Sequence, residues 1–169
     1  GYFNNFDTYV GSLATLPTGW TSANSNFLGT GTGTNNAGGT IAYGTSNEYS
    51  LGALRSGGAP TVGYEVTFVN NSTKAITDLE IAYDFEQWRY ANTSGINVTS
   101  SLGNVSSLSE NGVSTGTSGT VTVISKSVIL SNLNVTPSST FTITFSWTDA
   151  SGSDNGLSID NFSISSVVL

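Results

Sequence analysis

The sequence predicts an all-β protein, a two-sheet antiparallel β-sandwich for which a jelly-roll topology is favoured. Apolar and polar side chains alternate with a period of two in several segments, which is typical of strands with one buried and one wet face. Charged residues make up only 9% of the chain, and no window shows the sustained 3.6-residue period of a helix. Short strands joined by many turns therefore account for the chain better than long, charged helices do.

The alternation places candidate strands along the whole chain. The strongest segments are residues 64–69, 79–86, 141–147 and 157–164, and further candidates are residues 3–10, 40–43, 49–54, 121–123 and 128–130. The phase of the last strong strand slips near Asp160-Asn161, which indicates a β-bulge. Residues 70–73 have the composition of a hairpin turn between two strands. Two glycine-rich stretches, residues 29–39 and 109–120, are typical of flexible loops.

The length of 169 residues predicts a single domain spanning 1–169. The chain begins at Gly1 with no signal peptide, as expected of a mature form after processing or of a recombinant start. It has no Cys, His or Met. This excludes disulfides, thiolate zinc sites and catalysis by a Ser-His-Asp triad. Apart from Trp and Tyr the chain has no readily oxidised residues, which suits an extracellular or cell-surface location.

The net charge of −7 limits the kinds of partner. Nucleic acids require a basic patch and anionic membranes attract basic segments, so neither is predicted as a partner. No apolar run approaches the roughly 20 residues of a membrane-spanning helix. Hard cations such as Ca²⁺, which take carboxylate and carbonyl oxygens, remain compatible with this charge.

The most specific segment is a loop between two strands that is rich in oxygen ligands. Asp149, Asp154, Asn155 and Asp160 crowd this glycine-containing stretch, and Asp154 and Asp160 are the best candidate ligands. The segment predicts a Ca²⁺ site, although its spacing is not that of an EF-hand. The alternative is that these Asp and Asn side chains only stabilise the turn.

A second cluster lies around Glu86-Gln87-Trp88-Arg89, together with Arg55. One interpretation is a partly buried ion pair between Arg55 or Arg89 and Glu86 that fixes the register of the sheet. The other is a sugar-binding platform of Trp88 and Tyr90, because sugars stack on aromatic faces beside polar groups.

The other two tryptophans and the paired acids have simpler interpretations. Trp20 follows a turn and is a further candidate for sugar binding, whereas Trp147 has core parity and is predicted to be buried. Asp84 and Glu86 lie on one face of a strand, about 7 Å apart, a separation compatible with glycoside hydrolysis. Any pair of residues two apart in a strand satisfies that distance, so no enzyme is predicted.

Four motifs follow one another along the chain. They are Phe6-Asp7-Thr8-Tyr9 with Leu16-Pro17-Thr18-Gly19-Trp20, Leu51-Gly52-Ala53-Leu54-Arg55-Ser56-Gly57, Tyr83-Asp84-Phe85-Glu86-Gln87-Trp88-Arg89, and the stretch from Trp147 to Ser163. In this order the chain resembles the jelly-roll module of bacterial secreted and surface-anchored proteins, including PEP-CTERM-type exported proteins and modules appended to extracellular hydrolases. The resemblance implies a non-catalytic sandwich, sometimes with a structural cation.

Two functions are therefore predicted. The first is a structural or adhesive surface protein that polymerises with copies of itself, by adding an end of the chain to a neighbour's open sheet edge. The ends concerned are the aromatic N-terminal segment from Tyr2 to Tyr9 and the apolar C-terminal Val167-Val168-Leu169. The alternative is a carbohydrate-binding module for extracellular polysaccharide.

Overall fold

A computed structural model of the protein describes residues 1–167, which form twelve β-strands and two short 3₁₀ helices. The strands are β1 (Tyr2–Asn4), β2 (Trp20–Ser22), β3 (Phe27–Gly31), β4 (Gly39–Thr45), β5 (Glu48–Leu54), β6 (Gly63–Val69), β7 (Leu79–Arg89), β8 (Gly95–Ser100), β9 (Glu110–Asn111), β10 (Thr122–Leu130), β11 (Thr140–Trp147) and β12 (Gly156–Ser165). The helices are Leu13–Thr15 and Ser106–Leu108. The predicted all-β class is confirmed, and no helix in the described part is long and apolar enough to cross a membrane.

The strands form two facing sheets. The large sheet has the order β10-β7-β12-β5-β4-β3, with β1 also paired to β12, and the small sheet has the order β2-β6-β11-β8-β9. Neighbouring strands are antiparallel except β3 and β4, which run parallel. The two-sheet sandwich is therefore confirmed, with one parallel pair at an edge of the large sheet.

The core fills the space between the sheets with the apolar side chains that the alternation selects. The ring of Phe162, which is fully buried, makes aromatic contacts with Tyr2, Trp20, Phe68 and Phe145. These rings come from both sheets, so the contacts hold the layers together. Trp147 is 3% exposed, which confirms its predicted burial.

Two local predictions have opposite outcomes. The bulge in the last strand is confirmed, because the pairing of β12 with β7 shifts register between Asp160 and Ser163. The hairpin predicted at residues 70–73 is wrong, because β6 belongs to the small sheet and β7 to the large one. The buried Asn70 donates its amide to the carbonyls of Lys74 and Val135, which ties this crossover to a neighbouring loop.

The N-terminal segment is used within the chain. Strand β1 pairs with β12 from Tyr2 to Asn4, and Phe6 and Tyr9 are fully buried in the core. The prediction that this segment joins a neighbour's sheet is therefore wrong, since it pairs with its own sheet, although the ring of Phe3 is 62% exposed. Val168 and Leu169 of the predicted C-terminal contact lie outside the described residues.

A glycine-rich loop covers part of the outer face of the large sheet. Because β3 and β4 are parallel neighbours, residues 32–38 must travel back across the sheet to connect them. Gly33 packs directly on the backbone of Trp88, at the end of β7, where a side chain would not fit. The segment predicted as a flexible loop thus contains the end of β3 and a packed crossover, beneath which Ile41 and Tyr43 are buried on the outer face.

Candidate functional site

Trp88 lies on the outer face of the large sheet and packs against Tyr43. Their rings are nearly parallel, with centroids 5.9 Å apart and an interplanar angle of 10°. The indole N–H donates to Glu86 Oε1 and Ser158 Oγ, both at 3.2 Å. Trp88 is half-buried, so internal contacts use part of the ring surface that a sugar platform requires.

Two glycines make room for the Tyr43 ring. Gly52 on β5 and Gly156 on β12 lie under this ring, where a Cβ on either residue would collide with it. Burial raises the pKa of Tyr43, and its hydroxyl has no hydrogen-bond partner within the described residues. A fully buried tyrosine with an unsatisfied hydroxyl thus lies across the outer face of the sheet.

Tyr90 anchors a loop. Its ring packs on Gly116, its backbone N–H donates to Ser118 Oγ at 3.1 Å, and its hydroxyl donates to the carbonyl of Thr120 at 2.9 Å. The loop of residues 109–120 therefore covers one side of the ring. Tyr90 and Trp88 do not form a continuous open aromatic surface.

Trp20 lies in the core. It is 5% exposed, and its indole N–H donates to the hydroxyl of Tyr2 at 2.9 Å. It also packs edge-to-face against Phe6 and Phe162. The prediction of Trp20 as a sugar-binding residue is wrong, because the turn before it directs the ring between the two sheets.

The predicted ion pair between Glu86 and an arginine does not form. Arg55 instead faces Asp149, with Nε and Oδ1 3.8 Å apart, and donates to the carbonyl of Trp147 at 3.1 Å. Glu86 accepts a hydrogen bond from Ser158 Oγ at 3.1 Å and lies on the outer face of the large sheet. Arg89 ends β7, and within residues 1–167 it forms no ion pair.

Acidic side chains gather near Glu86 on the same outer face. Asp84 and Asp160 are directly opposite each other on β7 and β12. Burial and the negative charge of Glu86 raise the pKa of Asp160 to about 8, and burial also raises the pKa of Glu86. Asp84 accepts hydrogen bonds from Ser125 and Asn161. Within residues 1–167, neither of the two ion pairs includes one of these three acids.

The four predicted calcium ligands do not come together. Six residues of chain separate Asp154 from Asp160, which along a strand is roughly 20 Å. Asp149 faces Arg55, while the Asn155 carboxamide accepts the N–H of Ala91 at 2.8 Å and is fully buried. No cluster of three acidic side chains suited to a metal occurs in the described part of the chain. These residues therefore do not fit a single Ca²⁺ site.

The strand ends of the large sheet create a polar cleft at one end of the sandwich. Arg55 follows the end of β5, Arg89 ends β7 and Asp154 precedes β12, so antiparallel pairing brings all three to the same end. We call this region the end cleft. It has a volume of about 490 Å³ and is lined by Asn36, Arg55, Ser56, Gly57, Arg89, Gly152, Ser153 and Asp154.

Asp154 is the most unusual group in the end cleft. The residue is 2% exposed, and its Oδ2 has no hydrogen-bond partner within residues 1–167. Burial and the nearby Asp149 raise its pKa, against the opposing effect of Arg55 and Arg89. Buried polar atoms are almost always paired in folded proteins, so the unpartnered oxygen is an unusual feature of a residue that lines a cleft.

Two other buried side-chain atoms in residues 1–167 are unsatisfied, and they belong to residues outside the cleft lining. They are the hydroxyl of Tyr43, which lies against Gly156, and Oδ1 of Asn35, the neighbour of the cleft residue Asn36. Sequence reasoning singled out Arg55, Arg89 and Asp154 but assigned them other roles, and it missed Asn36 and Ser56. Arg55 and Arg89 are two of the four positively charged residues of the chain, and the sequence analysis had already grouped them. That grouping was a signal that could have located the cleft.

Comparisons with known proteins identify the architecture. No protein-family model matches the sequence, and no curated protein matches it. The CBM22-1 xylan-binding domain of Paenibacillus barcinonensis Xyn10C has 11% sequence identity and a TM-score of 0.51, over 96% of this chain and 91% of that chain.

Two further solved structures resemble the chain over most of its length. The K1 cleaved adhesin domain of Lys-gingipain from Porphyromonas gingivalis W83 has 11% identity and a TM-score of 0.48, over 99% of this chain and 98% of that chain. TmCBM61, in complex with β-1,4-galactotriose, has 12% identity and a TM-score of 0.45, over 93% and 92%. At 11% identity, the similarity to the xylan-binding domain shows the fold alone, a β-sandwich. The link to PEP-CTERM-type exported proteins stays a prediction.

Proposed function

We propose that the chain is a non-catalytic carbohydrate-binding module that takes a short segment of extracellular polysaccharide into the end cleft. The observation that carries the proposal is that two arginines, Arg55 and Arg89, line one cleft together with the buried Asp154, whose Oδ2 is unpartnered. A location outside the cell or on its surface follows from such a ligand.

The chemistry of the cleft suits sugar hydroxyls. A carboxylate accepts hydrogen bonds and a guanidinium donates several in one plane, so together they match vicinal hydroxyls, each of which both donates and accepts. Asn36 and Ser56 add amide and hydroxyl groups at the rim. The volume of about 490 Å³ is within the range of small-ligand sites, roughly 300–1,000 Å³.

The mode of binding differs from the aromatic platform predicted from sequence. Trp88 and Tyr90 pack against Tyr43 and Gly116, and neither lines the end cleft. Hydrogen bonding rather than ring stacking therefore supplies the recognition, which favours a short segment or a chain end over a long flat surface. The shared fold of a xylan-binding domain supports this class of function by analogy.

Binding to a panel of soluble polysaccharides, including xylan, galactan and a soluble cellulose derivative, tests the proposal. Affinity gel electrophoresis identifies a ligand, and titration calorimetry then compares Arg89→Gln with Lys74→Gln. Both substitutions remove one positive charge, but Lys74 is exposed and does not line the end cleft. We expect Arg89→Gln to weaken binding about tenfold or more, since it removes charge-assisted hydrogen bonds, and Lys74→Gln to leave binding unchanged.

Two outcomes would count against the proposal. The first is no binding to any member of the panel. The second is binding that survives Arg89→Gln but is lost in Trp88→Ala, which would move the site to the outer face of the large sheet.

A further inference from the structure

Strand β10 is an open edge of the large sheet. It pairs with β7 over nine consecutive residues, without any shift of register, and among the described strands it has no other partner. The backbone N–H and C=O groups on its outer side are therefore free to pair with another strand.

Exposed apolar side chains accompany this edge. Val123 is 50% exposed, Ile124 38% and Ile129 57%, and Val121 just before the strand is 39% exposed. The only charge in the strand is Lys126, which is held by Glu110 at 2.6 Å. Natural sheet edges are commonly protected by prolines, bulges or charged side chains. Strand β10 has no proline and no bulge, and its one charge, Lys126, lies on the inner face opposite Tyr83 and is neutralised by Glu110.

The sequence of β10 is symmetric about Lys126. From Val123 to Ile129 it consists of two β-branched residues, Ser125, Lys126, Ser127 and two β-branched residues. Two-fold pairing of a strand with its own copy places each residue opposite its mirror position. The symmetry of β10 therefore puts apolar residues opposite apolar residues and Ser opposite Ser.

We infer that β10 pairs antiparallel with β10 of a second copy of the chain, in the register centred on Lys126. In this register Val123 of each copy is opposite Ile129 of the other on the outer face, and Ser125 is opposite Ser127. Cross-strand apolar pairs of this kind stabilise antiparallel sheets. The two Lys126 side chains meet at the centre, and each retains its Glu110, which compensates the like charges.

The inference goes beyond sugar binding and differs from the polymer predicted through the chain ends. A two-fold contact closes on itself and gives a dimer, whereas contacts through different surfaces give filaments. The dimer would carry two end clefts in a fixed relation. Each cleft is complete within one copy, so sugar binding by the single chain does not depend on the dimer.

Because the chain has no cysteine, disulfide trapping can test both the contact and its register. Val123→Cys and Ile129→Cys proteins are mixed under mild oxidation and analysed by mass spectrometry. Opposed residues have Cα atoms about 4.5–5.5 Å apart, within disulfide reach. In each single variant alone, the two cysteines of a dimer would be roughly 20 Å apart. We therefore expect a cross-linked heterodimer in the mixture and little cross-linking of either protein alone.

Val69→Cys mixed with Ile129→Cys is the matched control, because Val69 is 53% exposed but lies on the small sheet. Sedimentation velocity of the unmodified protein should show dimers that Ile129→Lys dissociates, with a dissociation constant raised about tenfold or more since the change occurs twice in the contact. Equal cross-linking in the control mixture, or a protein that stays monomeric over the whole concentration range, would overturn the inference. Circular dichroism verifies that each variant is folded.

Discussion

The unpartnered carboxylate of Asp154 gives the sharpest prediction about the site. The residue is 2% exposed and its Oδ2 has no partner within residues 1–167, so its charge costs folding free energy that the free protein does not recover. Asp154→Asn keeps the shape of the side chain and removes the charge. We expect it to stabilise the free protein and to weaken sugar binding.

The magnitude follows from the two oxygens of the carboxylate. The nearby backbone N–H of Ala150 lowers the pKa of the carboxyl and so favours its charged form, and the asparagine oxygen can accept a hydrogen bond from the same N–H. The asparagine NH₂ then replaces Oδ2 and stays unpartnered, but a neutral unpaired group costs less than a charged one. A buried unsatisfied group lowers the free energy of unfolding by about 1–3 kcal/mol, and a charged one lowers it by more. We therefore expect Asp154→Asn to raise the free energy of unfolding by about 1 kcal/mol. For a domain of this size that is a rise in Tm of about 2–4 °C.

The pH dependence separates this explanation from a general change in packing. Burial raises the pKa of Asp154 in the folded protein, so the charged form costs stability only above the pKa of the unfolded chain. As the pH rises from below about 4 through the folded pKa, the wild type loses stability that Asp154→Asn keeps. The gain should therefore be present at about pH 7 and absent at about pH 3. Urea denaturation followed by tryptophan fluorescence measures both.

Asp149→Asn is the matched control. Its side chain is 68% exposed and faces Arg55 at 3.8 Å, so the change should be within about 0.5 kcal/mol. If Asp154→Asn instead destabilises the protein by more than about 1 kcal/mol, the carboxylate is satisfied in the folded state and the reasoning about the end cleft fails. Repeating the urea denaturation of the wild type and of Asp154→Asn with EDTA and with Ca²⁺ tests the calcium prediction. A cation bound to Asp154 would make the stability lost in Asp154→Asn depend on Ca²⁺.

Two further predictions concern the outer face of the large sheet. Gly52→Ala should lower the free energy of unfolding by about 1–3 kcal/mol, because its Cβ would collide with the buried Tyr43 ring. Gly57→Ala is the control in the same urea titration. It should be nearly neutral, because a Cβ on Gly57 would meet open space. Equal effects of the two would show that Tyr43 does not lie across Gly52. Asp160→Asn should raise stability by about 1 kcal/mol above about pH 8 and give no gain below about pH 4, because burial and Glu86 raise the pKa of Asp160 to about 8. A gain independent of pH would contradict the carboxylate repulsion.

The alternation of side chains was sufficient to predict the strands that carry the core. It identified the residues of β6, β7, β11 and β12, and the phase slip at Asp160-Asn161 located the bulge. These predictions succeeded because burial of one face imposes a period of two on the local sequence. Strand neighbours are not encoded in that period, so residues 70–73 gave no sign that the chain crosses there from one sheet to the other.

The site predictions failed where they relied on proximity in sequence. Arg89 is three residues from Glu86, yet it ends the strand at the cleft while Glu86 lies among acids on the outer face. Asp154 and Asp160 are close in the chain but roughly 20 Å apart along the strand direction. Grouping by strand ends would have worked better, because antiparallel pairing brings the end of one strand to the start of the next.

The end cleft contains one of the unsatisfied buried groups of the protein. Strain and unpaired polar atoms often persist in folded proteins at functional sites. The three such side-chain atoms in residues 1–167 belong to Asn35, Tyr43 and Asp154, and of these residues Asp154 lines the end cleft. A cleft without an aromatic platform binds a short sugar segment weakly. Antiparallel pairing of two copies through β10 would place their end clefts at opposite ends of the joined sheet, because the cleft lies beside the start of β10. Such a dimer would therefore hold two separate sugar segments, one at each end.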